Sequence, residues 1–149
     1  MRLEQPFEFA LRVGEEDARA LLFAPERVFA GLPGLRDLAR QGPLLSGRLC
    51  GEALLFGQVC FPFQSRLEGE DRARLVPLPL AEAFWAELAG EGEAQGNTLR
   101  YRGRLVLHAR LPEGEKWGGR ALRRMAETAL ERTLRRALAA LPGSLETGW

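Results

Sequence analysis

Gln95-Gly96-Asn97-Thr98 stands between two runs of alternating residues, and Gly-Asn is a dipeptide that suits a two-residue hairpin loop. With Gly96 and Asn97 as the loop, Glu93 falls opposite Arg100 and Glu91 opposite Arg102 on one face. Ala94 with Leu99, Gly92 with Tyr101, Leu88 with Leu105 and Ala86 with Leu107 fall on the other. One register thus separates charge from apolar surface and sets unlike charges opposite each other, each such pair contributing about 0.2–1 kcal/mol. Residues 81–89 taken alone also read as a helix, but only the strand reading gives this agreement. The hairpin predicts an antiparallel sheet with one apolar face, and that face must be covered.

One segment is long enough to cover it. From about Trp117 to Leu141 the chain carries a helical apolar stripe of Leu122, Met125, Ala126, Ala129, Leu130, Thr133, Ala137, Leu138 and Leu141. Arg120, Arg123, Arg124, Glu127, Glu131, Arg132, Arg135 and Arg136 occupy the rest of its surface, and Pro142-Gly143 ends it. At 1.5 Å per residue it is roughly 35–40 Å long, enough to cross a whole curved sheet. Upstream, Phe7 to Val13 alternates as a half-buried strand that Gly14 ends. A short helix follows from Glu15 to about Leu22, with three acids in its first turn, and a second begins at Pro25. Leu44 to Leu80 reads as strand after strand, and Arg72–Val76 is a further strand that the Pro77/Pro79 pair bends or ends. Pro62, between Phe61 and Phe63, calls for a strand edge or a bulge.

The order is strand, two short helices, about six antiparallel strands and one long helix, which is an α+β chain and a single domain over 1–149. Its length of 149 residues suits one domain with its own core. It resembles the helix-grip fold of the START and birch-pollen-allergen (SRPBCC) superfamily, most specifically in Ala24-Pro25-Glu26-Arg27-Val28-Phe29-Ala30-Gly31-Leu32-Pro33-Gly34-Leu35. Bacterial proteins similar to the accessory G-type protein of carbon monoxide dehydrogenase carry a comparable run in which Asp stands where this chain has Ala24. Lys116-Trp117-Gly118-Gly119-Arg120 also resembles their glycine-containing lead into the last helix. The resemblance implies a curved sheet of about seven strands wrapped around the C-terminal helix, with a cavity beneath that helix.

Composition narrows the function by exclusion. The chain has twenty Arg to one Lys, seventeen Glu to three Asp, and no Ile, which suggests a GC-rich genome and is compatible with a thermophile. Ten basic and fifteen acidic residues lie in 1–99, eleven basic and five acidic in 100–149. These halves are expected to neutralise each other on folding rather than to bind nucleic acid. No 18-residue apolar run and no signal region are seen, and Cys50 and Cys60 are expected to be free, buried thiols, so the expected location is the cytoplasm.

Catalytic patterns are sparse. His108, the only histidine, shares a face with Arg100, Arg102 and Arg104 and is expected to be a solvated surface residue. Neither C-x-x-C nor H-E-x-x-H occurs, so no metal or other cofactor is expected. The serines lie in no nucleophile elbow, and Glu87, Glu91 and Glu93 read as surface ion-pair partners. What remains is apolar: Tyr101, Trp85, Leu88, Leu105, Leu107, Met125, Phe61 and Trp117 are the candidate ligand-binding residues, with Tyr101 as polar anchor. Ala86, Gly90, Gly92 and Gly103 are expected to leave space among them. The expected function is non-enzymatic binding of a hydrophobic or aromatic small molecule or lipid. The alternatives are a polyketide cyclase/dehydratase-like enzyme, which needs an inward acid or base such as Tyr101 or Gln58, and docking of a partner or membrane on the Arg-rich helix.

Overall fold

The computed structural model describes residues 2–53, 57–110, 124, 127–129, 131–132 and 134–136. Seven strands form one antiparallel sheet in the order β1-β7-β6-β5-β4-β3-β2. They are β1 (Arg2–Arg12), β2 (Leu35–Gln41), β3 (Leu44–Ala53), β4 (Gly57–Glu68), β5 (Ala73–Leu78), β6 (Phe84–Gln95) and β7 (Thr98–Ala109). Two short helices, α1 (Glu15–Leu22) and α2 (Pro25–Val28), lie between β1 and β2. The described residues between 124 and 136 are helical, and Leu134 among them is buried in the same core as the sheet. This is the helix-grip arrangement.

The β6–β7 hairpin has the register read from its sequence, from Gln95 opposite Thr98 to Phe84 opposite Ala109. The concave face follows from that register. Leu88, Tyr101, Leu105 and Leu107 point inward with Phe7 and Phe9 of β1 and with Phe61 and Phe63 of β4. α1 and α2 cap one end of this surface with Leu22, Val28 and Phe29. Glu26, in the motif that begins α2, pairs with Arg40 of β2 at 3.0 Å and ties the helix to the sheet margin.

β2 lies outside the strands read from the sequence. Its pairing with β3 shifts between Arg36 and Ala39, and Asp37 there adopts φ 53° while bonding Arg48. The bulge breaks the two-residue alternation that would have revealed a strand. β1 also starts earlier than expected, because Arg2 to Pro6 pair with β7. Val13 donates its N–H to Asn97 O, so by ladder alternation the odd residues of β1 bond toward β7. Pro6, which has no N–H, therefore presents its nitrogen to the unpaired side of the strand. Pro62 pairs with Arg48 of β3, while the β5 ladder begins only at Gln64, so pairing at Pro62 is one-sided as expected.

β5 departs from β6 early. Their ladder runs only from Ala73–Gly92 to Leu75–Gly90. Continued by two residues, it would set Pro77 opposite Leu88, and a proline has no N–H to give to the Leu88 carbonyl. Ser65, paired with Pro77 across β4 and β5, supplies the donor instead, its Oγ lying 2.6 Å from Leu88 O. This explains why a serine is buried in the sheet at this point.

Candidate functional site

Tyr101 is held in place by its whole surroundings. Its ring stacks on Phe9 at 5.7 Å and meets Phe29 edge-on at 5.4 Å. It lies over Gly90 and Gly92 of the neighbouring strand, where an added Cβ would approach it to 3.0 and 2.6 Å. The glycines do make room, as the sequence suggested, but the space at Gly90 and Gly92 is filled, by Tyr101 and, at Gly92, by Leu22 as well. At Gly103 an added Cβ would collide with the Ala89 carbonyl and Phe7, so that position offers no volume either. In a pleated strand a missing Cβ admits a neighbouring ring as readily as a ligand.

The Tyr101 side chain is 1% exposed, and its hydroxyl has no hydrogen-bond partner among the described residues. Burial pushes the phenol well above its ordinary value, because the charged phenolate would lose its hydration. The group is a neutral donor at physiological pH. The same face carries Leu88, Leu105, Leu107 and Phe61, all buried, with Phe61 edge-on to Phe84 at 5.9 Å. Met125 and Trp117 lie outside the described residues.

Trp85 corrects the expected site. It pairs with His108 on the opposite, convex face and stacks on that ring at 4.0 Å. The hairpin parity that placed His108 outward places Trp85 outward too, so the signal was present in the sequence. His108 is not the solvated residue expected, since its side chain is 22% exposed and its Nε2 lies 2.6 Å from Glu87 Oε2. Glu91 and Glu93 keep their register opposite Arg102 and Arg100, and both form ion pairs with Arg72, at 4.0 and 3.5 Å. Gln58 is exposed and shares the parity of Cys60, away from Phe61, which removes it as an inward acid or base.

Cys50 and Cys60 are likewise corrected. They are directly opposed across β3 and β4 with Cα atoms 4.0 Å apart, and they form a disulfide rather than two free thiols. The pairing depends on the register between β3 and β4, which the sequence left open. Among the described residues, no three His, Cys, Asp or Glu side chains cluster as metal ligands, and no helix is long and apolar enough to cross a membrane.

Residues 6–139 match a family model described as a protein of unknown function, DUF3809. The chain belongs to that family. No curated protein matches this DUF3809 chain. Among solved structures it is similar to TTHA0849 from Thermus thermophilus, at 18% identity and a TM-score of 0.54, over 93% of this chain and 94% of that one. It also aligns with the Zhui aromatase/cyclase from Streptomyces sp. R1128, at 14% identity and a TM-score of 0.49, over 95% and 92% of the two chains. The likeness to TTHA0849 is one of fold, and it agrees with the helix-grip topology seen here. A specific closeness to the carbon monoxide dehydrogenase accessory proteins finds no support in these matches.

Proposed function

We propose that this DUF3809 protein binds a hydrophobic or aromatic small molecule between the concave sheet face and the terminal helix. The observation that carries this reading is the chemistry of that face. Leu88, Leu105, Leu107 and Phe61 form a continuous apolar surface with Tyr101, and the helix that brings in Leu134 contributes to the same core. Apolar, concave surfaces with very few polar groups are what small-molecule sites are made of. A cyclase-like enzyme would need an inward general acid or base. The buried side chains with a polar atom among the described residues are Tyr101 and Ser65, and Ser65 has already committed its hydroxyl to Leu88. The reading therefore favours a carrier or sensor over a catalyst.

Titration with N-phenyl-1-naphthylamine, an uncharged fluorescent probe, tests it directly. Saturable one-to-one binding that raises the unfolding temperature supports the proposal, through the mass-action stabilisation of the bound state. Native mass spectrometry of the protein purified from its host should also show a bound hydrophobic molecule. Absence of both signals would falsify the binding reading. The exposed Arg124, Arg132, Arg135 and Arg136 of the terminal helix would then be the next surface to examine.

A further inference from the structure

The Tyr101 ring holds its position through contacts that a phenylalanine would make equally well: it stacks on Phe9, meets Phe29 edge-on, and lies with its ring carbons over Gly90 and Gly92. The hydroxyl adds nothing to that packing. Left without a partner in a buried apolar site, such a group costs about 1–3 kcal/mol. Elsewhere on the same face the protein does not tolerate that cost, since Ser65 Oγ bonds Leu88 O at 2.6 Å. The Tyr101 oxygen is thus a buried polar atom whose partner the described residues do not supply. A phenol donates better than it accepts, because its lone pair is delocalised into the ring.

We infer that the bound molecule carries a hydrogen-bond acceptor, a carbonyl or equivalent oxygen on a hydrophobic skeleton, and that this oxygen takes the hydrogen bond from Tyr101. The inference rests on the binding reading above and narrows it to a ligand class. A pure hydrocarbon would leave the hydroxyl orphaned, so the site discriminates against it. A ligand lacking the acceptor leaves the desolvation cost of the hydroxyl in place without the compensating bond.

The test uses matched pairs of ethyl and acetyl derivatives of benzene, naphthalene and phenanthrene, which differ in one methylene against one carbonyl. Dissociation constants are measured for the wild type and for Tyr101→Phe, which retains the ring. The expected result is that the variant binds the best acetyl probe about 3–10-fold more weakly, with the affinity of its ethyl partner unchanged, as the loss of one net hydrogen bond requires. The carbonyl stretch of the bound acetyl probe should lie at lower frequency in the wild type than in the variant. An equal effect of the substitution on both members of a pair overturns the inference and leaves the binding reading standing. A ligand-free variant less stable than the wild type also overturns it, because the hydroxyl would then have its partner within the protein. Failure of every probe to bind the wild type removes the binding reading and the inference together.

Discussion

Around Ser65 the sheet puts its buried hydroxyl to use, and around Tyr101 no described residue bonds the hydroxyl. Both groups lie on the concave face, and both are almost wholly shielded from water. The Ser65 region repairs a defect of the scaffold: Pro77 cannot donate to Leu88, so a side chain on the next strand does so. The Tyr101 region has no such defect, and its ladder to Phe9 and Gly92 is regular. The contrast separates a polar atom that builds the fold from one that the fold merely positions.

The largest effect should come from disturbing the packing beneath Tyr101. Gly92→Ala places a Cβ 2.6 Å from the ring, within a pocket already closed by Leu22. A loss of about 3 kcal/mol in urea unfolding is expected, near the upper end for overpacking. A near-neutral result would mean that the ring is not fixed there.

Ser65→Ala should cost about 2 kcal/mol, since it strands a buried carbonyl. Pro77→Ala in the same background should restore part of that loss by supplying the N–H that lets the β5–β6 ladder extend to Leu88. Additive losses in the double-mutant cycle would show that Ser65 does not stand in for the missing donor.

Alkali should separate the two hydroxyls, because only the phenol titrates. The folded state holds the Tyr101 proton more tightly than the unfolded state does. Stability is therefore undiminished below about pH 10, the ordinary phenol value, and falls as pH rises beyond it. The slope should reach at most about 1.4 kcal/mol per pH unit, and Tyr101→Phe should remove this contribution. Tyr101 is the chain's one tyrosine, so phenolate absorbance reports it alone. Its appearance before unfolding would contradict the burial.

The convex face should respond least. Glu91→Gln weakens an exposed pairing with Arg72 and should change stability by less than about 0.5 kcal/mol, more so at low salt. A larger change would mean that Glu91 does more than hold an exposed ion pair.

These contrasts also mark how far the sequence can be read. The hairpin register is legible because a two-residue loop fixes every pair after it, and charge and apolarity both have to obey the result. The helix starts at Glu15 and Pro25 are legible for a similar reason, being local. β2 is not, because its bulge at Asp37 and its mostly exposed residues erase the alternating signal. The filling of the volume beneath Tyr101 is not legible either, because a glycine in a strand does not say what enters its space. The disulfide is hidden behind a register that local sequence leaves undetermined. The orphaned hydroxyl is a property of the assembled core, and no short motif announces it.

Pro6 has a consequence for how copies of this molecule meet. β1 ends the sheet on one side, and an extended strand of that length is a template onto which another chain could add. At residue 6 the outward row of donors is interrupted, and at the opposite margin Asp37 kinks β2 out of register. A foreign strand approaching either border meets a break in the hydrogen-bonding pattern before it can zip along the full length. The open half-barrel is in this way protected against edge-to-edge aggregation without closing into a complete barrel.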